Sequence, residues 1–308
     1  MKKGIIYRLS PLNNETNMSA SLYVIKKALA FILIYVVSAV LGEGVIIGIL
    51  YGLGYDPLCG IMPEGEIGAL LPYYGFLVFF LVTLLYCRFV EKKNRKFLGF
   101  IGTLKDYLLG ALFAISLLAV IIGIGCVSDS IMFCGFNTNV EVKSLLFWML
   151  AFAIQGAAEE MMCRGFLLDS LKARISMPLA IFISSTAFVF PHLSSLMEAD
   201  FVFVIVGILN LYLVSSIFSI LVLWRSTIWI ACGLHSVWNF VLYMMMGLSL
   251  SGSKSALKGI LLFRVNNANL LNGGEYGMEA SVITTVVLGV VLFVMGKRME
   301  RMDSNGIS

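Results

Sequence analysis

The amino-acid sequence predicts an all-α, polytopic integral membrane protein with about eight transmembrane helices. Of its 308 residues, 59% are hydrophobic and 13% are charged, and the mean hydropathy is +0.94. An ordinary soluble domain has about 45–50% apolar and about 25% charged residues. The apolar residues form runs long enough to cross a bilayer as helices, and Lys and Arg gather in alternate loops between these runs.

Eight apolar runs come close to or exceed the length of about 20 residues that a helical span requires. The predicted spans are residues 28–53, 68–87, 106–126, 145–171, 177–192, 201–223, 227–249 and 280–296. The fifth run is short. The first run follows a mostly polar stretch and is longer than the hydrophobic region of a signal peptide, so we expect it to remain as the first span.

Clusters of Lys and Arg flank every second connection between the predicted spans. These residues are Lys26, Lys27, Arg88, Lys92, Lys93, Arg95, Lys96, Lys105, Lys172, Arg174, Arg225, Lys297, Arg298 and Arg301. The other loops are mainly acidic, although the last of them carries Lys254, Lys258 and Arg264. Since cytoplasmic loops collect Lys and Arg, both termini are expected to be cytoplasmic. We interpret the clusters as orientation signals and contacts with anionic lipids, so no nucleic-acid partner is expected.

Two features of span one concern packing. Gly44, Gly48 and Gly52 repeat every four residues, which predicts a ridge of small residues that lets a neighbouring helix approach closely. Glu43 has two open interpretations: it lines a cavity between the helices, or it lies near the outer leaflet.

Span four carries two adjacent carboxylates in the segment Gln155-Gly-Ala-Ala-Glu159-Glu160-Met-Met-Cys-Arg164. Ionisable groups cost about 2.5–3.5 kcal/mol each at the centre of a bilayer, so they usually face one another or a watery cavity. Side chains four residues apart share a helix face, which pairs Glu160 with Arg164 and points Glu159 elsewhere. We interpret the pair as a contact that fixes helix packing. Glu159 is left without a partner of opposite charge on its own helix, and Gln155, one turn earlier, could orient it or a water.

The chain has only two histidines, and both lie in apolar runs. His192 ends span five, with Phe188 one turn before it, and Pro191 is expected to disturb or end the helix there. His235 and Asn239 are four residues apart in span seven and share a face. Taken alone, each feature is also compatible with a structural role, as a histidine at a helix end or as a hydrogen bond between neighbouring helices.

Depth in the bilayer connects the three helices. At a rise of ~1.5 Å per residue, Glu159 lies ~20 Å from the cytoplasmic Lys172. By the same measure, His192 lies ~22 Å beyond the start of span five, and His235 lies ~15 Å beyond Arg225. These estimates place the carboxylate and both imidazoles within ~7 Å of one level, near the middle of the bilayer. We therefore expect a shared polar site between the helices.

The motifs Glu-Glu-x-x-x-Arg (159–164), Phe-x-x-x-His (188–192) and His-x-x-x-Asn (235–239), each on its own apolar helix, resemble the CPBP family. This family, also called Abi, is the CAAX prenyl protease and bacteriocin-processing group of intramembrane proteases. One motif alone is a weak signal, but the trio in this order and spacing is highly specific. The resemblance covers about residues 145–250, where no motif residue departs from the pattern, and the remaining spans carry no matching signature.

The resemblance implies an intramembrane endopeptidase whose active site is a cavity between the helices. In the family, the first glutamate and the first histidine are thought to activate a water, which implies Glu159 and His192 here. The second histidine and the asparagine, here His235 and Asn239, would stabilise the oxyanion. Glu160 belongs to the first motif and is included among the candidate catalytic residues. The residues expected to support them are Gln155, Arg164 and Phe188.

Two alternatives stay open. The group has often been called metalloproteases, and Glu159, His192 and His235 could form a three-ligand zinc site. We favour a metal-free glutamate mechanism with no cofactor, because the sequence has no His-Glu-x-x-His and an asparagine amide is a poor zinc ligand. The rival class is a non-proteolytic protein: a transporter that uses the same residues as a proton relay, or an immunity protein.

The chain is expected to have three parts. Residues 1–140 hold an N-terminal cytoplasmic tail and the first three spans, residues 141–250 the catalytic core, and residues 251–308 an outer loop and the last span. The expected partners are the lipid bilayer and a membrane-associated peptide or protein substrate. We expect a bacterial plasma membrane, where relatives act in bacteriocin processing or immunity, because no organelle address is found. The sequence does not identify the substrate, the cleavage site or a role for prenylation.

Overall fold

The structure is a computed structural model that describes residues 4–94, 98–253 and 259–304. Side chains are described as far as Met299. Four of the basic residues used above to predict orientation, Arg95, Lys96, Lys254 and Lys258, lie outside the described residues, as does the side chain of Arg301. The described part folds as a bundle of helices with one small ribbon of strands.

The helices of the described part follow the predicted spans. They are α1 Ile5–Leu9, α2 Ala20–Gly52, α3 Glu66–Phe89, α4 Leu104–Val127, α5 Val142–Leu171, α6 Met177–Leu196, α7 Phe201–Arg225, α8 Trp229–Met245 and α9 Val282–Ser304. Seven of them, α2 to α7 and α9, are long and apolar enough to cross a membrane. The predicted all-α, multi-pass membrane fold is therefore confirmed.

Helix α8 is shorter than the span predicted for it at residues 227–249. Ser226, with a φ of +53°, turns the chain just before α8. Gly247, with a φ of +62°, turns it again just after the helix ends. Met246, Leu248 and Leu250 continue the apolar run past the end of α8, so the run overestimates the helix.

Three helices are irregular close to the predicted site. α6 passes into a 3-10 turn at Phe190–His192, as expected from Pro191. α5 becomes π-helical directly after Glu160, at Met161–Leu168, and α8 does so at Val241–Met245. π-Helical turns are rare and occur often at functional sites. Side-chain periodicity did not predict either π-helical segment.

Two strands outside the helices pair as an antiparallel ribbon. β1 (Ile131–Phe136) follows α4, and β2 (Leu261–Val265) lies in the loop between α8 and α9. The register slips between Phe133 and Gly135. The ribbon adds a short sheet to the predicted all-α fold, and it ties together two connections that are distant in the sequence.

Glycines allow α8 to pack closely against α4 and α5. A Cβ built at Gly233 would lie 2.0 Å from the carbonyl oxygen of Tyr107, and one built at Gly110 would lie 1.9 Å from that of Ile230. A Cβ at Gly156 of α5 would lie 3.3 Å from a backbone nitrogen of α8. Only glycine permits backbones to come this close. These contacts position the part of α8 that carries the second histidine.

The glycine ridge predicted in span one is wrong. A Cβ built at Gly44, Gly48 or Gly52 would meet nothing within 4 Å outside its own helix, and all three glycines are exposed. α2 instead approaches α3 at Gly42, where a Cβ would lie 3.2 Å from the carbonyl oxygen of Gly75. Spacing identified small residues on one face, but the bundle packs through a different face of the helix.

Two basic residues interpreted as lipid contacts are buried, so that interpretation is wrong for them. Lys26 donates to Asn13 Oδ1 and to the carbonyl oxygen of Glu15, both at 2.8 Å. Lys27 forms an ion pair with the buried Glu91, which lies in the connection between α3 and α4. The N-terminal segment thus folds back against the bundle instead of trailing away from it.

Glu43, which had two open interpretations, is exposed on the surface of α2. It lines neither of the two cavities described below. The interpretation that it lines a cavity is therefore wrong.

We expect Gly233→Ala to destabilise the bundle, because its methyl group would overlap the Tyr107 carbonyl of α4. Overpacking of this kind typically costs about 1–3 kcal/mol of unfolding free energy. Unfolding in mixed detergent micelles by titration with sodium dodecyl sulfate measures the loss. Gly48→Ala is the matched control and should change stability by less than about 0.5 kcal/mol. Equal losses in the two variants would contradict the close contact of α4 with α8.

Candidate active site

Gln155 joins Glu159 to Asn239 through two hydrogen bonds. Its Nε2 donates to Glu159 Oε1 at 3.1 Å, and its Oε1 accepts from Asn239 Nδ2 at 3.3 Å. The first contact follows from the i, i+4 spacing on α5. The second reaches across to α8 and was not predicted. Gln155 is therefore placed to orient Glu159 and to hold it near the amide of Asn239.

Glu160 and Arg164 form the ion pair predicted from their spacing, and it is completely buried. Arg164 Nη1 donates to Glu160 Oε1 at 2.9 Å, and both side chains are 0% exposed. Arg164 Nη2 reaches α7, where it donates to the backbone oxygen of Ser215 at 3.0 Å and to the Ser215 hydroxyl. The guanidinium carbon lies 4.8 Å from the centroid of the Phe188 ring and 5.0 Å from that of Phe218. The pair thus connects α5 with α6 and α7.

His235 contacts both carboxylates of α5. Its Nδ1 lies 3.1 Å from Glu160 Oε1, and its Nε2 lies 3.9 Å from Glu159 Oε2. An ionised carboxylate only accepts hydrogen bonds, so Nδ1 carries the proton that is donated to Glu160. The imidazole also stacks on Phe218, with 5.4 Å between centroids and 18° between ring planes. Glu160 therefore orients His235 in addition to pairing with Arg164.

His192 lies in the 3-10 turn of α6, with its Nδ1 2.8 Å from the carbonyl oxygen of Phe188. A carbonyl cannot donate, so Nδ1 is the donor and Nε2 of the neutral ring keeps a lone pair. The ring of Phe188 packs against three site residues, which are His192, Arg164 and His235. Phe188 therefore separates and spaces the two imidazoles, a more specific contact than its position in the motif revealed.

Two cavities meet at these residues. The first has a volume of about 120 Å³, and its lining includes His235, Asn239 and Glu279. The second has a volume of about 220 Å³ and is lined by Glu159 and by apolar side chains of α2, α3, α5 and α6. Gln155, Phe188 and His192 line both cavities. The structure thus brings all the predicted site residues to one region between α5, α6 and α8.

The two adjacent glutamates differ in their access to the cavities. Glu159 keeps 17% of its side-chain surface exposed and lines the second cavity, whereas Glu160 is 0% exposed. Glu159 is therefore open to a water or a substrate, whereas Glu160 contacts Arg164 and His235. Adjacent positions on a helix point about 100° apart, which gives one carboxylate to the cavity and one to the bundle interior.

Three residues of the site were missed by the sequence analysis: Ser215, Phe218 and Glu279. Ser215 and Phe218 lie within the long apolar run of α7 and carry no distinguishing pattern. Glu279 stands directly before the last apolar span, and an isolated carboxylate in that position was a visible signal. Its Oε1 accepts from Trp238 Nε1 at 3.2 Å, which ties the loop between α8 and α9 to α8.

The described residues contain no group of three or more His, Cys, Asp or Glu side chains arranged to hold a metal ion. The Nδ1 of His235 already donates to Glu160, and its Nε2 is 3.9 Å from Glu159. With its Nδ1–H donated to Glu160, neutral His235 keeps a lone pair on Nε2, as a zinc-ligating histidine also does. The metal-free site and the three-ligand zinc site stay the two alternatives named from the sequence.

We expect Arg164→Met to destabilise the protein strongly, because it leaves Glu160 as an unpaired charge in an apolar interior. Removing one partner of a buried pair costs about 3–5 kcal/mol. The double variant Glu160→Gln, Arg164→Met should recover part of that loss, since no charge remains unpaired. Unfolding free energies in detergent measure both, with Lys172→Met, at the exposed end of α5, as control. Strictly additive losses in the double variant would contradict the interaction.

Residues 141–241 match the profile of a family described as type II CAAX prenyl endopeptidase Rce1-like. The matched segment is about a third of the chain, and it contains both glutamates, both histidines and the asparagine of the site. No curated protein matches the chain. The segment 141–241, which carries the site that α5, α6 and α8 build, is therefore similar to the Rce1-like type II CAAX prenyl endopeptidases.

Proposed function

We propose that the chain is an intramembrane endopeptidase that hydrolyses a peptide bond of a membrane-associated peptide or protein. One observation carries the proposal: a carboxylate, two imidazoles and an amide from three helices converge on two cavities inside a membrane-spanning bundle. Polar groups at this depth are costly and usually serve chemistry or transport. The match of residues 141–241 to the Rce1-like family favours chemistry of the CAAX-protease type.

Glu159 and His192 are the proposed activators of the attacking water. Both line the second cavity, and Glu159 is exposed to it. His192 keeps the lone pair on Nε2 because its Nδ1 proton is donated to Phe188. Two acceptors then face one space, so a water held there can lose a proton to one of them as it attacks the carbonyl carbon. The same group returns that proton to the peptide nitrogen when the C–N bond breaks, which releases a carboxylic acid and an amine.

His235 and Asn239 are the proposed donors to the oxyanion. The Asn239 amide is held by one long hydrogen bond to Gln155, at 3.3 Å, and has a second N–H to offer. His235 can donate from Nε2 only when both ring nitrogens carry protons, since Nδ1–H is already donated to Glu160. The carboxylates of Glu160 and Glu159 would balance the charge of that imidazolium. Donors fixed in advance where negative charge develops contribute a few kcal/mol each.

Glu160 and Arg164 are proposed to act as positioning residues. Arg164 fixes Glu160 through one hydrogen bond and holds α7 through Ser215. Glu160 in turn orients the His235 ring. Neither side chain reaches a cavity that contains Glu159, so neither touches the scissile bond in this proposal.

We expect Glu159→Gln and His192→Ala each to lower peptide cleavage by at least about 100-fold, because each removes an acceptor needed to activate water. Cleavage is followed by mass spectrometry in proteoliposomes that contain a membrane-peptide library. Glu43→Gln is the matched control, since it removes the charge of an exposed glutamate outside the cavities. All variants should keep the elution volume and unfolding midpoint of the unmodified protein. Normal cleavage by both site variants would disprove the assignment.

We expect turnover without bound zinc. Protein purified in metal-free buffer should contain far less than one zinc per chain by elemental analysis, and dialysis against a strong chelator should leave the rate unchanged. A stoichiometric zinc whose removal abolishes turnover, and whose return restores it, would replace the metal-free mechanism by a zinc mechanism.

The natural substrate can be identified in cells. We propose that the protein works in a bacterial plasma membrane with both termini cytoplasmic, on a peptide that lies in or on the bilayer. Membrane peptides from cells with the native gene are compared with those from cells that carry the Glu159→Gln allele. Peptides that lengthen or accumulate only in the variant cells are the substrates.

A further inference from the structure

The lining of the first cavity contains a second polar group beside the proposed catalytic residues. The catalytic residues in the lining are His192, His235 and Asn239. The second group consists of Asn210 of α7, Ser251, and Glu279 of the loop between α8 and α9. Nothing in the proposed hydrolysis uses this second group, which needs a separate explanation.

Glu279 is held rigidly by neutral donors. Its Oε1 accepts from Trp238 Nε1 at 3.2 Å, and its Oε2 accepts from the Ser251 backbone nitrogen at 2.7 Å and hydroxyl at 3.0 Å. A carboxylate has about four acceptor positions, so these bonds leave capacity for one more donor. Trp238 and Ser251 orient the carboxylate without neutralising its charge.

Asn210 provides a second acceptor beside the carboxylate. Its Nδ2 donates to the carbonyl oxygens of Glu279 and Ser281, at 2.8 and 3.0 Å, which fixes the amide and the turn that carries Glu279. Its Oδ1 has no hydrogen-bond donor among the described residues, although Asn210 is only 3% exposed. An unpaired buried acceptor costs about 1–3 kcal/mol, which a donor from a bound molecule would recover.

Beside His235, whose positive charge in the proposed mechanism is balanced by Glu159 and Glu160, the first cavity carries one fixed charge. Glu279 is the only carboxylate in its described lining, and no Lys or Arg is found there. A fixed negative charge and an unsatisfied acceptor in a partly enclosed space favour a positively charged donor. A free carboxylate would be repelled.

We propose that the first cavity is a subsite for a positively charged side chain of the substrate, bound by Glu279 and Asn210. The inference rests on the proposed proteolysis, because it places this side chain next to a scissile bond at His192, His235 and Asn239. The substrate class is then a membrane-associated peptide with Lys or Arg a short distance from the cleaved bond. Glu279 lies outside the segment 141–241, so this preference is a property of the loop between α8 and α9.

Binding of synthetic peptides tests the proposal without requiring cleavage. The unmodified protein is placed in nanodiscs of phosphatidylcholine, which carries no net charge and does not attract cationic peptides by itself. A fluorescent apolar host peptide carries Lys, norleucine or Glu at each position in turn, and fluorescence anisotropy measures its affinity. At one position we expect Lys to bind about tenfold more tightly than norleucine, and Glu to bind more weakly than either.

Glu279→Gln should bring the affinities of the Lys and norleucine peptides to within about twofold while norleucine binding is retained. Glu275→Gln is the matched control, because Glu275 is an exposed carboxylate of the same loop that does not line the cavity. It should keep the full preference for Lys. Tighter binding of the Glu peptide, or an equal Lys preference in the Glu279→Gln protein, would overturn the proposal.

A cross-linking measurement on the unmodified protein covers the case in which Glu279→Gln fails to fold. A lysine analogue that carries a diazirine replaces Lys in the host peptide, and mass spectrometry maps the cross-links after illumination. Cross-links to Glu279, Ser251 or Asn210 support the subsite, and cross-links confined to the lining of the second cavity exclude it. If the unmodified protein shows the Lys preference but cleaves no peptide, the proposed proteolysis is rejected and the subsite is kept.

Discussion

The buried ion pair of Glu160 and Arg164 is the interaction on which the site depends. In an apolar interior a single charge is costly, so each partner requires the other, and both require further hydrogen bonds. Arg164 obtains them from Ser215 on α7, and Glu160 obtains one from His235 on α8. The demand to satisfy two buried charges therefore fixes three helices relative to one another, and the orientation of His235 is a consequence.

The close approach of α8 to α4 and α5 makes that arrangement possible. Gly233 and Gly110 let the backbones of α8 and α4 meet, and Gly156 lets α5 lie against the same helix. With larger residues at these positions α8 would move outward, and the 3.1 Å contact from His235 to Glu160 would lengthen. Close backbone packing at glycine on one face of α8 thus holds the side chains of another face within hydrogen-bonding distance of α5.

The division of work between adjacent glutamates follows from the same packing. Glu160 points into the interior and pairs with Arg164 and His235, whereas Glu159 points to a cavity and accepts a hydrogen bond from the Gln155 amide. In the proposed mechanism the base must be accessible and the positioning group must stay fixed, and two neighbouring residues of α5 meet these two demands. The π-helical segments that follow Glu160 and Asn239 alter the local helix geometry at these two points.

The sequence by itself determined the class of fold and the members of the site. Apolar length predicts spans because a bilayer has a fixed thickness, and a buried carboxylate or imidazole is conspicuous because its burial is costly. The i, i+4 rule also predicted the contacts of Glu160 with Arg164 and of Gln155 with Glu159, because both contacts are local to α5. The two histidines stood out because they lie in apolar runs at a similar depth, and Asn239 because it is four residues from His235.

Only the tertiary structure decided which helix faces meet. Three glycines of α2 form an evident ridge yet touch no other helix, while Gly110 and Gly233, which have no such repeat, form the tightest contact. Ser215, Phe218 and Glu279 joined the site in the same way, because contacts between distant segments depend on the rotation and depth of each helix. Periodicity shows which residues share a face of one helix. Which of those faces turns inward depends on packing and on the pairing of buried charges over the whole bundle.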